Sequence, residues 1–278
     1  IESHLNNYGI EFSFTKDLSV ESFKSCIKAN TKLIYIETPS NPLLKIVDIF
    51  AISQLARSKK ILTAIDNTFA TPIIQRPLTL GVDIVIHSAT KYFGGHSDIT
   101  AGAVISSKEI IDRIRDFAKD FGGSLGDFTA WMLERSMKTL GIRVKKQQKN
   151  AFKLARFLNR RVEIKKVYYP GLKSHPNYKL AKIQMDGFGA MISFILSEKY
   201  DVFVFLNSLT LIKPSMSLAG LESTMTLPVK TSHALISEDD RKSQGIFDNL
   251  IRFSVGIESK KDLIHDIEQA LISSKIKQ

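Results

Sequence analysis

The 278 residues are 44% hydrophobic and 24% charged, proportions that build a globular core and exclude a disordered tail, a collagenous chain and a disulfide scaffold. The length sets an expectation of about two domains. The single cysteine, Cys26, excludes an intrachain disulfide and points to a reducing, cytoplasmic compartment. No apolar stretch approaches the length of a bilayer span, and residues 1–10 lack the layout of a secretory signal. The first residue is not methionine, so the chain reads as processed or partial.

The net charge is 39 − 28 = +11. Residues 143–166 hold ten Lys/Arg and one acid, Glu163, a net +9, which leaves +2 for everything else. Most of that stretch reads as one helix with Val144, Phe152, Leu154, Ala155 and Leu158 as its apolar positions. Its basic residues are expected on a solvated face or at a subunit boundary. One cysteine cannot build a zinc finger, and nucleic acid is not expected as a partner.

In chain order, a helix is predicted over 19–29 and a strand over 33–36. A helix follows over 48–59, with Asp48 as its cap and Ile49, Ile52 and Leu55 at helical spacing. Strands are predicted over 61–65, 82–87 and 103–105, all read as buried, then helices over 108–120 and 128–139. The helix carrying Trp131 to Leu140 reads as amphipathic core. Beyond the basic helix, strands are predicted over 190–196 and 251–255. Helices are predicted near 200–208 and over 262–274, the last opened by a Ser259/Asp262 capping box. Strand–helix–strand succession predicts an α/β fold with a mostly parallel sheet, covered on both faces, in a larger unit over 1–142. A smaller C-terminal α/β unit over 143–278 is expected, with no flexible linker between the two.

In such sheets ligands bind beyond the carboxyl ends of the strands. Three successive ends here are chemically loaded. They read Glu37-Thr38-Pro39-Ser40-Asn41-Pro42, then Asp66-Asn67-Thr68, then His87-Ser88-Ala89-Thr90-Lys91 followed by Tyr92-Phe93-Gly94-Gly95-His96. The inventory fits pyridoxal 5'-phosphate (PLP). That cofactor needs a lysine amine for its Schiff base, a carboxylate to keep the pyridine nitrogen protonated, and hydroxyls and backbone N–H groups for the phosphate. Lys91 and Asp66 are the candidates for the first two, Ser88 and Thr90 for the phosphate, and Asn41 for the ring phenolate oxygen. Cys26 and Tyr92 read as packing. His4, His175 and His265 show no ligand spacing and are expected at the surface. His96 is expected to be structural, and no metal site is expected.

Glu-Thr-Pro-Ser-Asn-Pro, Asp-Asn-Thr-Phe-Ala-Thr-Pro, His-Ser-Ala-Thr-Lys-Tyr with Gly-His-Ser-Asp, and Arg-Phe-Ser-Val-Gly-Ile-Glu together resemble the Cys/Met-metabolism PLP enzymes. That family includes cystathionine γ-lyase, γ-synthase and β-lyase, methionine γ-lyase and the homoserine-ester sulfhydrylases. The resemblance runs from about residue 9 to the end. It implies an aspartate-aminotransferase-like fold (PLP fold type I) and a homotetramer built as a dimer of dimers. It also implies Lys91 as the cofactor lysine, Asp66 as the pyridinium partner and Thr68 beside the ring. By the same resemblance Arg252 grips the substrate α-carboxylate, with Ser217 and Asn41 near the substrate.

Departures from the pattern are Met216 before Ser217, Thr231-Ser232-His233 in place of Met-Thr-His, and no counterpart of an N-terminal part with a phosphate loop, a ring-stacking tyrosine and a Tyr-x-Arg arm. The implied activity is transsulfuration chemistry, γ-elimination on cystathionine or a methionine-like amino acid. The alternatives are γ-replacement on an acylated homoserine, a cystathionine β-lyase, and a non-catalytic fragment that keeps the cofactor lysine.

Overall fold

The computed structural model describes residues 2–276. Its helices are α1 (Glu2–Leu5), α2 (Val20–Cys26), α3 (Ile49–Ser58), α4 (Thr71–Ile74), α5 (Lys108–Phe121), α6 (Asp127–Met137), α7 (Leu140–Leu158), α8 (Tyr178–Gln184), α9 (Val202–Ser208), α10 (Glu238–Gln244) and α11 (Lys260–Ser273). The first sheet has the order β1 (Leu33–Glu37), β2 (Leu62–Asp66), β3 (Ile84–Ser88), β4 (Gly102–Ile105). Its first three strands are parallel, and β4 runs antiparallel on β3.

Helix α3 makes the crossover between β1 and β2. It starts where the Asp48 side chain accepts the Ala51 N–H at 2.9 Å, and it buries Ile49, Ile52 and Ala56 at helical spacing. These side chains, with Phe23 of α2, form one core against Ile34, Ile36, Ile65 and Val85. The two-residue period of a strand puts Leu33, Tyr35 and Leu62 on the opposite face, where they stay exposed. In β4 Val104 and Ile105 are exposed as well, and α5 buries none of its residues. The expectation of strands covered on both faces is therefore corrected for β1 and β4. Trp131 and Phe128 of α6 are also exposed, so α6 is not core throughout. Leu133 and Ser136 are its buried positions.

The second sheet is β5 (Ile164–Tyr168), β6 (Met191–Leu196), β9 (Leu250–Ser254), β8 (Thr224–Thr226), β7 (Lys213–Pro214) in spatial order, antiparallel except at β7–β8. The basic helix stops at Leu158, and the last of that stretch is β5, whose Ile164 and Val167 are buried among lysines. Within α7, Leu140, Val144, Ala151, Leu154, Ala155 and Leu158 join the larger core, which also takes in β6, β9 and α11. One of the basic residues of α7, Arg143, is buried rather than solvated. At α11 the Ser259 side chain makes no capping hydrogen bond, so the predicted capping box does not form. Among the described residues, no helix is long and apolar enough to cross a membrane.

Candidate active site

The parallel register sets Glu37 directly opposite Asp66, each the last residue of its strand, while Ser88 ends β3. A strand end leaves amides without ladder partners, and here side chains take them up. The Thr68 N–H donates to Asp66 Oδ1 at 2.8 Å, and the Ser88 N–H donates to Thr68 Oγ1 at 2.8 Å. Asp66, Thr68 and Ser88 thus form one hydrogen-bonded rim. Ser88 Oγ has no hydrogen-bond partner among the described residues.

Lys91 follows in the turn after β3, with its N–H donating to Ser88 O at 3.0 Å and its carbonyl accepting the Gly95 N–H at 2.7 Å. Burial, and then the positive charge of Arg252, hold the Lys91 ammonium below the ordinary lysine range. An amine whose protonation is disfavoured is the form that condenses with an aldehyde.

The lysine turn is clamped from below. Arg143 donates to the carbonyls of Tyr92 (2.8 Å), Phe93 (3.3 Å) and Ser136 (2.9 Å) and to Thr139 Oγ1 (3.1 Å). Gly95 packs so close at φ +70° that a Cβ there would collide with the guanidinium. Tyr92 is buried under the turn, as expected of a packing residue. His96 Nδ1 lies 2.7 Å from Gly94 O, bracing the same turn. The Thr90 hydroxyl donates to Ala101 O (3.2 Å) and accepts the Ala101 N–H (2.9 Å), so its proton is engaged with the neighbouring loop.

The second sheet supplies the opposite wall. Arg252, in β9, is 3% exposed, and burial lowers its guanidinium to about 10. Its Nη1 donates to Asn41 Oδ1 at 3.3 Å and its Nη2 to Met216 O at 2.8 Å. The Asn41 N–H donates to Glu37 Oε1 at 3.0 Å. Ser217 sits one residue beyond Met216, its N–H donating to Ser215 Oγ at 3.2 Å and its carbonyl accepting Thr224 Oγ1 at 2.8 Å. It lines a shallow cleft with Ser97, Ser215, Glu222 and Thr224. A more open cleft, lined by Lys24, Lys28 and Lys59, lies away from these residues.

Asn41, Asp66, Thr68, Ser88, Lys91 and Arg252 are therefore brought to one region where the two sheets meet. Thr90 turns toward Ala101, and Ser217 is tied in through the carbonyl of Met216. His87, on the reverse face of β3, stacks on Phe93 at 4.5 Å, and burial pushes its imidazole down to about 4, so it stays neutral. His175 is not at the surface. It is buried, accepts the Asn177 N–H at 3.2 Å, and burial lowers it to about 4. His4 and His265 are exposed. Among the described residues no three His, Cys, Asp or Glu side chains gather as a metal site.

Two contributors were not read from the sequence. Glu37 opens the Glu-Thr-Pro-Ser-Asn-Pro strand end, which by itself gives it no task, and its place opposite Asp66 is set by the sheet register. Arg143 lies in a basic run whose members look alike.

The chain matches the profile of the family described as "Cys/Met metabolism PLP-dependent enzyme" over residues 1–272. It is 47% identical over 268 residues to a cystathionine gamma-lyase of Bacillus subtilis (strain 168), covering 96% of this chain and 71% of that protein. It is 46% identical over 268 residues to a cystathionine beta-lyase of Lactococcus lactis subsp. cremoris (strain MG1363), covering 96% and 70%. The crystal structure of cystathionine gamma-lyase from Lactobacillus plantarum complexed with L-serine superposes with a TM-score of 0.96 at 40% identity, covering 98% of this chain and 72% of that one.

Proposed function

The chain belongs to the Cys/Met metabolism PLP-dependent enzymes, and from that premise we propose that it is a carbon–sulfur lyase of transsulfuration, acting by γ-elimination on cystathionine or a methionine-like amino acid. The observation that carries the reading is the meeting of the two sheets at Arg252, whose Nη1 donates to Asn41 Oδ1 at 3.3 Å. Lys91, in the turn after β3, is held below the ordinary lysine range by burial and then by the Arg252 charge.

The donor set fits pyridoxal phosphate: a partly buried amine, a carboxylate at the end of the neighbouring strand, and the free hydroxyl of Ser88. When bound, the cofactor supplies an electron sink for the pair left at the substrate α-carbon. Arg252 holds the α-carboxylate, with Asn41 steadying the guanidinium. With the cofactor bound, Lys91, whose ammonium is disfavoured by burial, would take the α-proton at Nζ and remove a proton from Cβ, so that the γ substituent leaves with a proton as a thiol and water hydrolyses the remaining enamine to a 2-oxo acid and ammonia. Asp66 keeps the ring nitrogen protonated, and Thr68 fixes the Asp66 carboxylate through its N–H. Thr90 shapes the phosphate turn through its bonds to Ala101. Ser217 lies along the substrate wall next to Met216.

The division into a cofactor unit over 1–142 and a C-terminal unit over 143–278 agrees with the placement of the two sheets. The exposed apolar residues Phe117, Phe121, Phe128, Trp131 and Ile142 favour a homo-oligomer, a tetramer as a dimer of dimers. A cytoplasmic location agrees with the single free cysteine.

The second reading is γ-replacement of an acylated homoserine or β-elimination. β-Elimination is supported by a relative that carries a β-lyase name at similar identity, and γ-replacement by the likeness to a cystathionine gamma synthase structure at 40% identity. Product analysis separates these reactions. Cystathionine, methionine and an acylated homoserine are supplied with and without cysteine. A 2-oxo acid with ammonia from cystathionine, and no new thioether, is the expected result. Thioether formation overturns γ-elimination, and pyruvate in place of a four-carbon 2-oxo acid points to β-elimination.

A further inference from the structure

Glu37 is the one acid at the strand ends to which the proposed chemistry gives no task. It lies across from Asp66 in the parallel register, and the two-residue period puts both side chains on the same face of the sheet. Neighbouring strands are about 4.8 Å apart, so the charge of Asp66 bears on the Glu37 carboxyl. Asp66 faces Glu37 from β2. Tyr35 lies two residues back on the same strand and face. From β9, Arg252 reaches the side chain of the Asn41 whose N–H Glu37 Oε1 accepts at 3.0 Å. Glu37 is an exposed residue whose carboxyl is tied to the loop after β1 by the Asn41 N–H. Desolvation pushes it up to about 7, the Asn41 N–H draws it back, and the charge of Asp66 adds to the rise. Tyr35 is raised to about 12 by burial and by the charges of Asp66 and Glu37, so all three groups share one electrostatic patch.

We propose that Glu37 is a positioning residue of the cofactor site, which rests on the functional reading above. Its carboxyl, paired across the strands with Asp66, sets how much negative charge the pyridine ring meets. Through the Asn41 N–H it also fixes the amide that lies against Arg252. The residue thereby couples the two ends of the site, the ring-nitrogen carboxylate and the substrate-carboxylate guanidinium. As Glu37 loses its proton, negative charge beside Asp66 grows and the protonated form of the ring is favoured.

The test uses the holoenzyme and reads the visible absorbance of the bound cofactor against pH. The wild-type protein is expected to show an inflection near pH 7. Glu37→Gln, which keeps an oxygen to accept the Asn41 N–H but cannot ionise, is expected to lose it, and Glu37→Asp to recover it at a shifted pH. Glu37→Ala, which frees Asn41 as well, is expected to raise KM for the amino acid severalfold with a smaller change in kcat. A reading that needs no variant is carbon NMR of labelled glutamate in the wild-type holoenzyme, where one glutamate carboxyl must titrate near neutral pH. An inflection that persists in Glu37→Gln, or a labelled spectrum without such a carboxyl, overturns the role of Glu37 alone. A wild-type chain that takes up no pyridoxal phosphate overturns the functional reading first, and with it this proposal.

Discussion

Arg252 and Asn41 lie 211 residues apart in the chain, and Arg252 Nη1 meets Asn41 Oδ1 at 3.3 Å. The contact joins the last strand of the second sheet to the loop after the first strand of the first. A second tie lies beside it, where Ser193 Oγ of β6 donates to Pro42 O at 2.6 Å. The proposed substrate-carboxylate site is thus a product of the docking of the two sheets, and it is only as well ordered as that docking.

Arg252→Ala is expected to weaken amino-acid binding at least about tenfold, since a charged hydrogen bond contributes roughly 1.5–3 kcal/mol. Arg252→Lys is expected to recover little of it, because an ammonium cannot reproduce the planar fork. Substrate titration of the cofactor absorbance checks both. Equal affinity in wild type and alanine variant, with cofactor retention lost instead, places Arg252 against the cofactor rather than the substrate.

Lys91 is expected to be the residue joined to the cofactor. Its lowered pKa leaves more free amine at neutral pH than an ordinary lysine offers. Borohydride reduction of the loaded protein followed by peptide mass spectrometry is expected to find the label on Lys91. Labelling on a different lysine sinks the assignment.

Asp66→Asn is expected to bind the cofactor and to lose most α-proton exchange, because a neutral amide does not stabilise a protonated pyridine nitrogen. The Thr68 N–H can still bond to the amide oxygen, so the rim should persist. Solvent deuterium exchange at the substrate α-carbon measures the loss. Exchange at the wild-type rate removes Asp66 from the role.

The strands β1, β2, β3, β6 and β9 are legible in the sequence because each is an apolar run bounded by turn residues. Asn41, Asp66, Ser88, Thr90 and Lys91 are legible because parallel strands end where ligands bind, whereas Thr68, Ser217 and Arg252, the last inside an antiparallel strand, are legible only through the family resemblance. β7 is two residues long and β5 carries two lysines inside a basic run, so neither has a period to detect. His175 looks like a surface residue until the turns at 170–178 fold it against the loop carrying Leu44. Arg143 is one of ten basic residues in its stretch, and only the packing of α7 under the lysine turn singles it out. The register that pairs Glu37 with Asp66 follows from how α3 returns the chain to β2, which is tertiary information.

Arg143→Leu is expected to lower stability by several kcal/mol, since the carbonyls of Tyr92, Phe93 and Ser136 lose a shared donor and each buried orphan costs about 1–3 kcal/mol. Because the Tyr92 and Phe93 carbonyls directly follow Lys91, cofactor retention should fall with it. Thermal melts with and without pyridoxal phosphate, beside Arg143→Lys as the partial replacement, read both effects. Melts that match the wild type in both variants show that the clamp contributes nothing.

Asp266 gives a pH-dependent prediction far from the site. It accepts the N–H groups of Thr210 (2.8 Å), Leu211 (3.0 Å) and Ile212 (2.8 Å), the Thr210 hydroxyl (2.9 Å) and Gln269 Nε2 (3.0 Å). Burial pushes its carboxyl upward, but the backbone bonds from Ile212 and Thr210 and the side-chain bonds outweigh it, and the pKa falls below the ordinary 3.8. A carboxyl with a depressed folded-state pKa contributes its stabilisation in full above the unfolded value and loses it as pH falls through the folded one. Asp266→Asn, whose amide nitrogen cannot accept, is expected to cost about 1–3 kcal/mol at neutral pH. That gap should narrow as the wild-type carboxyl is protonated. Urea melts of both proteins at neutral pH and in steps down through the ordinary aspartate range measure it, and a gap that stays constant with pH shows that the Asp266 charge does not hold the turn between α9 and β7.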